Sequence, residues 1–295
     1  MRHLDIALTA IAPLVWGSTY FVTTEFLPSG YPVTMAALRA LPAGLLLLVM
    51  APRLPKGIWW LRIFVLGALN FTLFWAFLFI AAYRLPGGVA ATVGAIQPLI
   101  VVFLAALLLG TAIRASAVMA ALIGIFGVGL LVLGSGIRLD PIGLIAGVCG
   151  AASMAAGTVL TRKWQPPVPL LTFTAWQLTA GGLLLVLLAV FIEPPLPTLD
   201  ARNLSGILYL ALIGAALTYI LWFRGISRIE PGAVSALGFL SPLAAVLIGW
   251  ALLGQALTQM QIAGAALVFA AIWVGQRAAR TRPSELLKIS IRHPL

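Results

Sequence analysis

One arginine sits where a cation is costly. Arg39 lies in the apolar stretch near 33–51, roughly 9 Å past Val33 at 1.5 Å per residue, and is the only charged side chain well inside any such stretch. At a bilayer centre an arginine costs roughly 2.5–3.5 kcal/mol on insertion scales, and less toward either surface. Its fork of donors suits a substrate carboxylate; it can equally snorkel outward or tie backbone carbonyls and Glu25. Trp16 and Tyr20, four apart and flanking Thr19, share one helix face. They offer either an aromatic wall for an amphipathic solute or core packing. Asn70 and Trp75 lie on one later stretch, Tyr219 and Trp222 on another. Gln97-Pro98 and Ser241-Pro242 put a polar residue before a mid-stretch proline. Such a proline removes a hydrogen bond and frees a carbonyl, so Pro98 and Pro242 are candidate kinks or gates. Gln177 completes the candidate substrate contacts, together with Trp16, Thr19, Tyr20, Arg39, Asn70, Trp75, Gln97, Tyr219, Trp222 and Ser241.

What is missing narrows the chemistry. No aspartate or glutamate falls at the middle of a stretch, so a carboxylate proton relay is not expected. Facilitated diffusion or exchange remains, with Asp5 and Glu25 at stretch ends as fallback coupling groups. There is no GxxxxGK[ST] phosphate loop. Histidine occurs only at His3 and His293, and Cys149 is the single cysteine, so neither a metal site nor intramembrane hydrolysis is expected. The chain reads as no enzyme, with no cofactor and no metal.

The elements that carry these residues are membrane helices. Hydrophobic residues make up 62% of 295 and charged residues 8%, against roughly 25% charged in soluble domains. A window of about 20 residues gives ten spans, near 5–24, 33–51, 60–82, 87–109, 115–134, 141–161, 169–191, 204–223, 232–252 and 259–277. Connections are short, and a basic tail occupies 278–295. Basic residues divide fourteen to three between alternate sides, which predicts both termini in the cytoplasm. The net charge of +11 is scattered over short loops, which favours an anionic lipid surface over nucleic acid.

The chain also repeats. Residues 84–110 align with 228–254 at a constant offset of 144, with nine identities including Gly94/Gly238 and Pro98/Pro242. Met35–Leu46 matches Phe173–Leu184 more faintly, pairing Arg39 with Gln177 and Gly44 with Gly182. Five spans per half turn the second copy upside down. The predicted fold is all-α, ten transmembrane helices as two inverted five-helix repeats, 1–137 and 138–277. Inverted repeats allow alternating access to a midplane site, so a central cavity lined by both halves is expected. In span six, Gly143, Gly147, Ala151 and Ala155 recur every four residues, a stripe for close helix approach.

The opening APLVWGSTYFVTTEFLP, with Trp16-Gly17-Ser18-Thr19, resembles the first helix of the drug/metabolite transporter (DMT) superfamily, specifically its EamA-repeat exporters. Arg39 after a proline, Tyr83-Arg84-Leu85, and the Pro98 and Pro242 helices fit the same family, to about residue 277. The resemblance extends to aromatic amino acid exporters of the YddG type. It implies a cofactor-free secondary exporter of small metabolites, foremost aromatic or neutral amino acids, in the bacterial inner membrane. Drugs, nucleosides or phosphorylated sugars are the alternative cargo, and a lipid-handling scaffold or membrane enzyme the alternative outside transport. Expected partners are the small-molecule substrate and membrane lipid, with a monomer or weak oligomer.

Overall fold

The computed structural model describes residues 2–84, 93–132, 140–253 and 258–279, except the side chains of residues 2, 20, 24, 82, 83 and 253. Residues 85–92, the repeat boundary at 137/138 and residues 280–295 lie outside them. Among the described residues thirteen α-helices and two π-helical segments follow in order: α1 Arg2–Phe26, α2 Pro32–Met50, α3 Trp59–Gly67, π1 Ala68–Thr72, α4 Leu73–Arg84, α5 Gln97–Leu109, α6 Ala115–Val132, α7 Pro141–Lys163, α8 Leu170–Ile192, α9 Ala201–Ala211, π2 Leu212–Leu217, α10 Thr218–Arg228, α11 Pro231–Leu237, α12 Leu240–Leu253 and α13 Gln259–Ala278. Segments α3–π1–α4 make one crossing (span three), α9–π2–α10 another (span eight), and α11–α12 a third (span nine). By length and hydropathy nine described helices can cross a bilayer, and the described part of the expected fourth span holds a shorter apolar helix, Gln97–Leu109.

Irregularities recur at the repeat offset. The π segments begin at Ala68 and Leu212, 144 residues apart. Span four turns at residues 95–96 before α5, and span nine turns at Gly238-Phe239 before α12. Pro98 and Pro242 therefore sit in the first turn after a break, where a missing N–H leaves no helical bond unmade. The expected mid-helix kinks are broken helices instead.

Packing interlocks the halves. Spans two and seven pair most closely, as do five and ten; span six lies against three and four, and span one against eight and nine. Exchanging the halves leaves this pattern unchanged, as a two-fold repeat requires. Glycines permit it. A Cβ at Gly44 would stand 2.5 Å from Thr179 N, and one at Gly182 would stand 2.7 Å from Leu41 Cα, the mirror contact of the same helix pair. Gly127 and Gly264 do the same for spans five and ten. In span six Gly147 of the small-residue stripe stands against Val93, and Gly150, outside the stripe, against Phe77.

Candidate substrate site

The site starts from the backbone of span eight. A π turn widens the helix and strips carbonyls of their usual i+4 partners. In π2 the Gly214 carbonyl accepts from Arg39 Nη2 at 2.6 Å, Thr218 Oγ1 at 2.8 Å and Trp16 Nε1 at 3.2 Å. Trp16 Nε1 also donates to Thr218 Oγ1 at 3.0 Å, and Arg39 Nη1 reaches Thr19 Oγ1 at 3.4 Å. The guanidinium carbon lies 5.3 Å from the centre of the Trp75 ring. Arg39 is 8% exposed. Among the described residues no carboxylate pairs with it, and its Nε has no partner. Glu25 pairs with Arg202 instead, at 3.3 Å.

Aromatic rings close around this cation. Trp16 stands 5.1 Å from Tyr219 and 5.1 Å from Trp222, ring centre to ring centre. Phe71 bridges Trp75 at 5.6 Å and Tyr219 at 4.7 Å. Of the sequence candidates, Trp16, Thr19, Arg39, Trp75, Tyr219 and Trp222 therefore meet at one place. Phe71 was not among them. Its position 144 residues on is Ala215, so repeat pairing passed it over; its place next to Asn70 in an aromatic-rich span was the available signal. The side chain of Tyr20 lies outside the described residues.

Asn70 and Gln177 come together in a second cluster. Asn70 Nδ2 donates to Gln177 Oε1 at 2.9 Å and to Thr161 Oγ1 at 3.2 Å. Gln97 and Ser241 are half-buried at the breaks of spans four and nine, and among the described residues neither joins the two clusters by a hydrogen bond. The Ser241 carbonyl has another use: a Cβ at Gly17 would stand 2.7 Å from it, so that glycine lets spans one and nine touch.

Among the described residues the centre is packed rather than hollow. Phe71, Trp222 and Phe223 are fully buried where a solute-sized cavity was expected. The physical reason is that the rings fold onto Arg39 while Gly214 takes up its donors. A pocket of ≈ 20 Å³, room for one water, lies instead between spans four, five, nine and ten near Glu230.

That end of the bundle is fastened. Asp5 pairs with Arg224 at 2.5 Å and with Arg228 at 3.5 Å. Arg162 donates to the Ile226 carbonyl at 2.8 Å and also to that of Ser227. Arg114 pairs with Glu230 at 3.5 Å and donates to the Ala278 carbonyl. Four arginines and two acids thus pin the junction between spans eight and nine. At the opposite end the pairs Arg84–Asp140 and Arg202–Glu25 are exposed. There the firm tie is Glu193 from span seven, which accepts from Val33 N, Thr34 N and Thr34 Oγ1 at 2.6–2.7 Å and caps α2.

Comparison with known proteins fits this architecture. A protein named PecM from Dickeya dadantii (strain 3937) is 46% identical over 278 residues, covering 94% of this chain and 93% of that protein. The uncharacterised inner membrane transporter YedA of Escherichia coli K12 is 30% identical over 270 residues, covering 88% and 87%. A Salmonella typhimurium protein named "Probable amino-acid metabolite efflux pump" is 27% identical over 307 residues, covering 96% and 98%. A solved crystal structure superposes with a TM-score of 0.81 at 21% identity, covering 96% of this chain and 100% of that one, which speaks to the fold alone. Matches to the EamA-like transporter family run over residues 4–133 and again over 141–274, one for each half of the bundle. With both halves matched and the inverted packing in place, the chain belongs to the EamA-like transporter family of the DMT superfamily, a membrane transporter and not an enzyme.

Proposed function

We propose that the protein is a secondary exporter of small metabolites that join a carboxylate to an aromatic or apolar body, aromatic and neutral amino acids foremost. It works by alternating access in a bacterial inner membrane with both termini cytoplasmic. One observation carries this reading: Arg39 is a buried cation whose hydrogen-bond partners are all neutral. An isolated charge in a low-dielectric interior is strongly disfavoured, and a substrate carboxylate is the counter-charge its fork is shaped to take. In the resting arrangement the Gly214 carbonyl stands in for that carboxylate, and Trp16, Phe71, Trp75, Tyr219 and Trp222 must part to admit the solute body. The Salmonella relative's name points toward the same cargo. Phosphorylated sugars and nucleotides fit less well, because a phosphate dianion wants a second buried base and Arg39 is the one buried cation among the described residues. With no mid-span carboxylate, exchange or facilitated movement supplies the coupling.

The test uses the purified protein in liposomes with labelled phenylalanine, tyrosine and aliphatic amino acids, with and without a pH gradient. Saturable flux of the aromatic solutes is expected, lost in Arg39→Ala and Trp16→Ala proteins that remain folded. Equal flux in both variants would remove these residues from the site.

A further inference from the structure

Where spans three, six and seven meet, polar side chains are buried with their hydrogen bonding unfinished. Asn70, Thr158 and Gln177 are 0% exposed and Thr161 is 2% exposed. Asn70 Nδ2, Thr161 Oγ1 and Gln177 Oε1 bond to one another at 2.9–3.3 Å. Asn70 Oδ1, Gln177 Nε2 and Thr158 Oγ1 have no partner. Thr158 sits one turn before Thr161, on the same helix face. Next to it, Gly157 clears space for Asn70: a Cβ there would fall 2.1 Å from Asn70 Oδ1. A buried donor or acceptor left alone is rare in folded proteins and calls for a ligand, water or a second conformation.

Depth says which side this cluster serves. Gln177 is the eighth residue of α8 and Arg39 the eighth of α2, helices that enter the bilayer from opposite ends. The cluster is thus the repeat counterpart of the Arg39 site, displaced toward the other surface. Thr161 is followed directly by Arg162, which holds the Ile226 carbonyl in the clamp. The unfinished cluster therefore lies directly behind the closed end. In an inverted repeat each half takes the other's conformation as the site changes sides, so opening this end parts spans three, six and seven at these residues.

We propose that Asn70, Thr158, Thr161 and Gln177 form a second solute station, exposed when the Arg162 clamp opens, that takes the uncharged hydrogen-bonding group of the solute, a hydroxyl or carboxamide. The inference rests on the transport reading above. It assigns the solute's two ends to two places: the anion to Arg39, and the neutral polar group to a cluster that offers donors and acceptors without charge.

Cysteine substitution tests it. Cys149 is the only native cysteine, so a Cys149→Ser background leaves Thr158→Cys or Thr161→Cys as the sole thiol. Val159→Cys, fully buried on the face toward Val101, is the control. In proteoliposomes treated with the small cationic reagent 2-aminoethyl methanethiosulfonate, the two threonine positions should label at least tenfold faster than Val159→Cys. Adding Arg162→Ala should speed them further. Labelling no faster than the control, with the clamp intact and broken, overturns the station. A second readout addresses ligand class: Gln177→Leu should lower the tyrosine-to-phenylalanine flux ratio about tenfold, and an unchanged ratio overturns the assignment of a neutral polar group. Should neither amino acid move through the unaltered protein, the transport reading fails, while the labelling result still decides whether the station exists.

Discussion

The two π segments use one backbone device for two chemistries. In span eight the bulge releases Gly214's carbonyl, and the facing residue of span two is Arg39, which takes it at 2.6 Å. In span three the bulge releases Leu69's carbonyl to Ser153 of span six at 2.9 Å. Here the facing residue of span seven is Gln177, held by Asn70 at 2.9 Å. One centre is charged and walled by rings; the other is neutral, made of amides and hydroxyls. The lesson is that duplication preserved the widened helix turns while letting the side chains that exploit them diverge. A cation in the membrane is tolerable because a strongly polar carbonyl was already free to receive it.

Moving the charge should break this asymmetry most severely. Gln177→Arg puts a second guanidinium beside Asn70, where Ser153 already holds the released Leu69 carbonyl; an uncompensated buried ion costs several kcal/mol. We expect little folded protein by size-exclusion chromatography in detergent. Removing the charge comes next. Arg39→Leu should cut aromatic amino acid flux about 100-fold, roughly 2.7 kcal/mol at 1.36 kcal/mol per decade. Arg39→Lys should recover little of that, because an ammonium cannot fork to a carboxylate; initial-rate counterflow measures both. The symmetric seam is tested by Gly44→Ala, whose Cβ would stand 2.5 Å from Thr179 N in a backbone that cannot swing aside. Overpacking of this kind costs about 1–3 kcal/mol, read as a lower melting temperature. Thr218→Val keeps the shape and removes one donor to Gly214 and one acceptor for Trp16. About 1 kcal/mol and a several-fold loss of flux should follow. Last, Arg202→Ala breaks an exposed pair worth under about 1 kcal/mol, so both melting and flux should match the unaltered protein.

Much of this was readable residue by residue. An apolar run of about 20 residues has few options in lipid, because its backbone must bond to itself; hence the crossings appear where hydropathy puts them. Glycines at equivalent positions, Gly44 and Gly182, announced helix contacts that turn out to be mirror images. Trp16, Arg39, Trp75 and Tyr219 stand out as candidates by their aromatic and polar types inside spans, and packing brings them to one place. The partner of Arg39 was not readable. Nothing in LIGAAL at 212–217 marks a π turn rather than an α turn, since the two differ in packing demands and hardly at all in composition. The tie from Glu193 to the start of α2 joins residues 159–160 apart in sequence, and Arg162 reaches carbonyls, which every residue possesses. The prolines misled in detail: a proline mid-stretch and a proline just past a break look alike until the backbone is placed.

The amino-acid order alone determined how many apolar spans the chain has, that its second half repeats the first upside down, and that one arginine falls well inside a span. Those outcomes depend on local composition and on counting crossings, both of which survive without coordinates. Only the tertiary structure decided which carbonyl receives that arginine, that the rings close over it, and which end of the bundle is clamped. These depend on where helices from opposite halves touch, and a backbone oxygen becomes a ligand only once a neighbouring span bends to present it.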